Sequence, residues 1–461
     1  MIEQGRQLDW RFDPLEALRR YPADRRVMLL HSGRFHRRWA RWSVLAEPVG
    51  TYRFTADAAR TTASGRSAWL GPEQLDLSGR FTHRPFRDLR LIQRSFEGLW
   101  IGYLGYDLAR WIERLPCHVP ADANDPVIEL AYCPGYLVYD GADQTWYACG
   151  HWRSGGFGEL VLGDSVDATF HATPARSHVS RSEYEAAVNA AKAYITAGDI
   201  FQVNLAHRLT AELTGIYPLA HRALFNQLAT VSPAWYGAYL ELVPVNHTRR
   251  TIASTSPELF LEIDRRRHVV TRPVKGTRPA SADPAELRDS AKDTAELNMI
   301  VDLLRNDLGR VCDYGSVRVV QPRTIESHPT VHHGVATIGG DLHESKDLAD
   351  LLRATMPGGS ITGVPKVRAM QIIDELEPVP RGPYCGAIGY LSNNRACFNI
   401  AIRTMLLETD VTTGSGHVDF SVGGGIVADS DPAAEYQETL DKAAAMLAAL
   451  QLRSSPIGCK G

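Results

Sequence analysis

Positive charge is not in excess in this chain. Its 50 Lys and Arg face 53 Asp and Glu, a formal net charge of -3 at pH 7, whereas a dedicated nucleic-acid surface shows up as a surplus of cations. A small-molecule partner is expected instead. Cysteine is scarce and scattered. The seven positions, Cys117, Cys133, Cys149, Cys312, Cys385, Cys397 and Cys459, are odd in number and contain no C-x-x-C pair. That pattern speaks against a zinc or dithiol redox centre and points to reduced thiols in a cytoplasmic protein. Nowhere do 18 apolar residues run together, so no membrane-spanning helix is expected. The polar stretch Met1–Asp13 lacks the apolar centre of a signal peptide. The glycine-rich segments match neither the phosphate-binding P-loop nor the dinucleotide fingerprint, which leaves NTPase and dehydrogenase chemistry without support. No internal repeat is present.

What the chain does have is bulk. With 461 residues, 44% hydrophobic and 22% charged, it has room for two or three domains, or for one large core with a smaller region folded onto it. Residues 8–166 form a first region of mixed strand and turn, in which Val27–His31 and Trp100–Leu104 read as strands. Composition turns to His, Thr, Ser and Arg over residues 167–181, the expected linker. Residues 182–450 form the second region. There Ser182–Ala197 reads as a capped helix stopped by Gly198. Asp199–Ala206 reads as a strand with Ile200, Gln202 and Asn204 on one face, either solvated or part of a site. Arg249–Ile263 reads as a strand pair, and Gly386–Leu391 with Phe398–Leu407 as a hairpin across Ser392–Arg395. Leu287–Leu308, Val367–Leu376 and Ala433–Leu450 read as helices.

Chemistry concentrates in a few places. Thr271–Thr277 sets Lys275 between a proline-fixed entry and Gly276, which lets backbone approach a small ligand closely. The strand His268–Val274 leads into it, so Lys275 is either a solvated lysine at a strand end or one held there for a purpose. Glu435, Glu438 and Lys442 share a helix face beside Gly423–Gly425, and Asp293 and Glu296 lie one turn apart on another helix. Carboxylates so spaced repel unless a cation joins them, and oxygen-only donors suit Mg2+. A solvated face and a metal site both remain open at this stage. Lys366, Arg368, Arg403 and Lys442 supply positive charge. Arg403, ending the otherwise apolar run from Ile400, needs a carboxylate or phosphate to meet it. A ligand with more than one carboxylate is expected. The loop Pro357–Lys366, ahead of its helix, can hold an anion on free N–H groups.

Five stretches then resemble, in order, those of the chorismate-utilising enzymes: Gly198–Leu205, Thr255–Phe260, Ala295–Asp307, Pro357–Lys366 and Val422–Val427. Leu30–Gly33 and Gly102–Asp107 resemble the family's first domain more loosely. The fold this implies is α+β, with two large antiparallel β-sheets packed together and helices outside, anthranilate-synthase-like, and an active site in the cleft between the sheets. Salicylate and isochorismate synthases, which add water, carry a lysine base where this chain has Gln202, so Gln202 favours the ammonia-using branch. Anthranilate synthases share the glutamine but have alanine in place of Lys275. A lysine there is similar to members that place the amine at C4, on the route to p-aminobenzoate and folate. An anthranilate-forming subunit and a non-catalytic chorismate-binding protein are the alternatives.

The resemblance also implies roles for individual residues. Mg2+ is expected on Glu296 and Glu438 with Glu435 nearby. Tyr384 and Arg403 are expected to grip the enolpyruvyl carboxylate, with Gln202, Gly276, Thr362, Gly425 and Lys442 lining the pocket and His333 against the ring. The turn between Tyr384 and Arg403 is one residue shorter than in anthranilate synthases, at a hairpin tip, with little consequence expected. Chorismate is a dicarboxylate whose C4 hydroxyl leaves poorly, so the site needs cations for binding and an acid for departure. Glu258, if burial raises its pKa, is the expected acid. Lys275, if desolvated and neutral, is the expected nucleophile at C2, displaced when ammonia enters at C4. No stretch resembles a glutaminase, so ammonia is expected from a separate glutamine amidotransferase subunit.

Overall fold

Period-two alternation of apolar residues commits much of this sequence to strands. The computed structural model describes residues 5–56, 64–119, 125–154, 162–166, 168–328 and 331–451, and there the strands form two antiparallel sheets, of 13 and 11 strands. Asp167, the first residue of the expected linker, and Cys459 lie outside the described residues. The described cysteines are free, and no described helix is long and apolar enough to cross a membrane.

The larger sheet has at its centre Met28–His31, Tyr236–Glu241, Thr248–Ser256, Thr404–Asp410, Ser415–Ile426 and Gln202–Gly215, in that spatial order. The other runs from Val274–Pro279 through Val331–Asp341, His268–Arg272, Leu259–Ile263, Ala396–Ile400 and Ala387–Leu391 to Leu99–Leu104 and its neighbours. Each sheet thus interleaves strands from both sides of residues 167–181. Apolar residues of both sheets meet in one core, where Leu240 and Ile252 pack with Ile101 and Ile388. Helices cover the outer faces. Pro432–Gln451 and Leu219–Val231 bury Met446, Ala449 and Phe225 against the larger sheet. Ala291–Gly309 buries Leu297, Ile300 and Leu304 with residues of the other.

Several sequence expectations need correction, and each correction has a local cause. The helix expected from Ser182 spans Arg181–Thr196 and is capped by Ser180, in a reciprocal capping box with Glu183. Leu287–Leu308 is not continuous: Pro284–Arg288 is a short helix of its own, and Ser290 caps a second one, Ala291–Gly309. His268–Val274 breaks at Pro273, whose missing N–H cannot donate to a ladder, so Lys275 lies inside a following strand. The two strands within Arg249–Ile263 belong to different sheets and do not pair. Phe398–Leu407 likewise divides into Ala396–Ile400 in one sheet and Thr404–Asp410 in the other. These two changes of sheet bear directly on the site.

Candidate active site

Where the chain passes from one sheet to the other, side chains leave the ladders and face the space between. Pro257 and Glu258 make the first crossing, between Ser256 and Leu259. Residues 401–403 make the second, and Arg403 takes a φ of +49 there. Backbone bonds link the crossings, Ile400 N–H donating to Glu258 O at 3.0 Å and Thr255 N–H to Arg403 O at 3.0 Å. The expectation that Glu258 and Arg403 sit on strands is therefore corrected: both stand at crossings. Glu258 is only 4% exposed. Burial pushes its carboxyl up to about 7, against the opposing pull of Ser360, the Val274 N–H and Lys275. Burial also holds the Arg403 guanidinium below its ordinary value, and Arg403 has no ion pair among the described residues. A half-buried, desolvated cation without a counterion is a place for an anion.

Lys275 and Gly276 form a bulge. Val274 pairs with Val335 and Thr277 with His333, so two residues stand opposite Gly334 alone. Gly276 has a φ of +81, and a methyl group on it would fall 2.9 Å from Asp293 Oδ1, so glycine is required on both counts. The bulge aims Lys275 at the ends of two strands of the other sheet. A methyl built on Gly425 would stand 2.6 Å from both Lys275 Nζ and Gln202 Nε2, and Gly425 is the register partner of Asn204. The strand face left open by the sequence is thus not solvated. Gln202 is 1% exposed, its Oε1 buried without a partner.

Carboxylates surround the lysine. Lys275 Nζ lies 3.5 Å from Glu296 Oε2 and acts electrostatically on Glu438 as well as on Glu258. Glu435 and Glu438 flank Gly424, and Lys442 Nζ meets Glu438 Oε1 at 2.7 Å and Gly423 O at 2.8 Å. Burial, with the neighbouring Glu438, raises the Glu435 carboxyl despite a 2.6 Å bond from Ser430 Oγ. Burial also acts on Glu438, but Lys442 and Lys275 hold its carboxyl below its ordinary value. Asp293, the other carboxylate of the long helix, is taken by Arg278 at 2.8 Å. Among the described residues no three His, Cys, Asp or Glu form a metal cage. Glu296, Glu435 and Glu438 offer only oxygen donors, the kind that Mg2+ takes, and Mg2+ usually binds through one or two carboxylates with water and substrate oxygens.

His333 is buried, its Nδ1 2.9 Å from Thr277 Oγ1 and its Nε2 without a partner. Burial first, then Arg403 and two neighbouring histidines, keep it neutral. Tyr384 lies beside the second crossing, where Cys385 N–H donates to Ala401 O at 2.9 Å. Thr362 is fully enclosed and its hydroxyl donates to Gly358 O at 3.0 Å. Two of the expected cations are elsewhere: Lys366 is buried against Asp307, and Arg368 pairs with Asp199. Sequence reasoning missed Thr277 and Ser360, for which the usable signals were their places in the lysine motif and in the loop Pro357–Lys366. A cavity of about 650 Å³ lies between the sheets, but of the expected site residues it touches only Tyr384. Several of its charges pair within its own wall, as in Arg250 with Glu408 and Arg208 with Asp419. The Lys275 cluster, with Gln202 Oε1 and His333 Nε2 unpartnered and Arg403 without an ion pair among the described residues, is the better candidate.

Comparison with known proteins bears on the chain as a whole. Residues 34–448 match the family described as chorismate binding enzyme. Aminodeoxychorismate synthase component 1 of Klebsiella aerogenes is 43% identical over 361 residues, 75% of this chain and 76% of that protein. Anthranilate synthase component 1 of Thermus thermophilus is 39% identical over 378 residues, 77% of this chain and 78% of that one. The crystal structure of anthranilate synthase component I from Streptococcus pneumoniae aligns with a TM-score of 0.68 at 26% identity, covering 97% of this chain and 100% of that chain.

Proposed function

The chain belongs to the family of chorismate binding enzymes, and we propose that within it the protein aminates chorismate at C4, giving 4-amino-4-deoxychorismate. The observation that carries this reading is the placing of Lys275. Its amine stands in a bulge against Gly425 and Gln202, beside the protonatable Glu258. A C2-aminating enzyme needs no such group there. The Thermus relative keeps the anthranilate reading as the second candidate.

The residues divide the work as follows. Arg403 takes the enolpyruvyl carboxylate, the counterion its surroundings lack. Glu258 gives its proton to the C4 hydroxyl, which leaves as water. Lys275, having lost its own proton to water, bonds through Nζ to C2 as the two conjugated ring double bonds each shift by one position toward C4. Ammonia next bonds to C4, both double bonds shift back and the C2–Nζ bond breaks. The proton shed by the new ammonium returns to Glu258, and the lysine recovers its own. Neutral His333 and Gln202, each with a free polar atom, orient substrate and amine without adding charge. Mg2+ held by Glu296, Glu435 and Glu438 would supply the positive charge that the second carboxylate needs in so acidic a corner. The ammonia comes from a separate glutamine amidotransferase subunit, and the setting is the cytoplasm.

The test is product identification. Purified protein with chorismate, ammonium salt and Mg2+ should yield a product that keeps the enolpyruvyl group and carries nitrogen at C4. Anthranilate and free pyruvate would overturn the reading. Glutamine should be used only when the partner subunit is added.

A further inference from the structure

The loop Pro357–Lys366 suggested an anion held on free N–H groups, and the structure gives it another use. Gly358 and Gly359 let the loop sink between two elements. A methyl on Gly358 would stand 2.6 Å from Ile400 Cδ1, and one on Gly359 2.7 Å from Leu303 Cδ2. Gly359–Ile361 then makes one helical turn. That turn delivers Ser360 Oγ to Glu258 Oε1 at 2.6 Å, a bond between buried groups 102 residues apart. The loop is fixed from behind, since Asn204 N–H donates to Thr362 O at 2.7 Å and Arg381 Nη1 to Ile361 O at 2.8 Å. Glu258 is fixed as well, through Ile400 N–H to its carbonyl and its own N–H to Ser256 Oγ.

We infer that Ser360 is a positioning residue for the reaction: its hydroxyl holds one carboxyl oxygen of Glu258 and, together with the Val274 N–H, fixes how the acid presents its proton to the departing hydroxyl. The inference rests on the reading of Glu258 as the acid. A hydrogen bond to the ionised carboxyl stabilises that form, so the serine also sets how far above neutrality the acid stays protonated. The titratable and charged groups facing Glu258 are Lys275, which opposes burial in the same sense, and Cys385.

The experiment compares pH profiles of kcat/KM at constant free ammonia for wild type, Ser360→Ala, Ser360→Thr and Glu258→Gln. In Ser360→Ala the alkaline limb should move up by about one to two units, the worth of one hydrogen bond to a charged acceptor. At neutral pH kcat should fall about tenfold with KM within twofold, as for loss of orientation. Ser360→Thr should restore both. If Ser360→Ala fails to fold, Ser360→Cys, with a weaker donor, is read the same way. A limb left in place while activity drops equally at every pH would overturn the role of Ser360. An alkaline limb surviving in Glu258→Gln would instead remove Glu258 as the acid.

Discussion

Replacing Arg403 by Met should separate binding from folding. The guanidinium is half-buried at the sheet crossing, lowered by desolvation alone and without an ion pair among the described residues. In the free enzyme, then, Met removes a desolvated charge, strands no carboxylate and keeps most of the apolar stem. The positive φ is equally unfavourable for both residues, so that cost cancels. The melting temperature should stay the same or rise by about a degree or two. In the complex, the loss is a charge-assisted, two-pronged contact to a desolvated carboxylate, about 2 to 4 kcal/mol. At 1.4 kcal/mol per decade that is a fall in kcat/KM of roughly 30- to 700-fold. Steady-state kinetics with ammonia, and melting curves with and without chorismate, read both effects; the stabilisation by chorismate should vanish in the variant. A lowered melting temperature with an unchanged KM would refute the reasoning and make Arg403 a structural residue.

Three further outcomes follow from the same geometry. Glu258 titrates near 7 in the fold against 4.5 for an ordinary glutamate, so between those values the folded chain holds the extra proton. Stability therefore falls as pH rises through that window, by roughly 3 kcal/mol in full. Thermal melts should show Glu258→Gln gaining on wild type from pH 5 to 8; a constant gap would contradict this. Gly425→Ala pushes a methyl to 2.6 Å from the tips of Lys275 and Gln202, so kcat should drop more than tenfold with little change in melting temperature. Glu296→Gln and Glu438→Gln should each abolish turnover across a full Mg2+ titration, and near-normal activity in both would contradict the metal reading.

Some of this was legible in the sequence because its cause is local. Capping residues and period-two alternation locate helices and strands to within a few residues, and Gly276 marks the close backbone approach beside Lys275. Carboxylate spacing on the last helix likewise places Glu435, Glu438 and Lys442 on one face. What escaped depends on distant partners. Nothing in Ile400–Thr404 announces a change of sheet, since strands in one sheet or two have the same alternation; only Arg403, polar in an apolar run, hinted at it. Gln202 and Asn204 could as well have faced water, because their burial comes from Gly425 and its neighbours more than 200 residues on. Lys366 shows the reverse error, a cation in a site-like motif that is spent on a structural pair with Asp307. The role of Ser360 escaped because its partner Glu258 lies 102 residues away.

The central claim is that Lys275 bonds to substrate carbon, and intact-protein mass spectrometry of enzyme trapped during turnover tests it most directly. The adduct should have the mass of chorismate less water, map to Lys275 and be absent from Lys275→Ala, which should lose most C4 amination and drift toward anthranilate. No adduct at Lys275, together with undiminished 4-amino-4-deoxychorismate from the alanine variant, would reduce the lysine to a charge in the pocket wall.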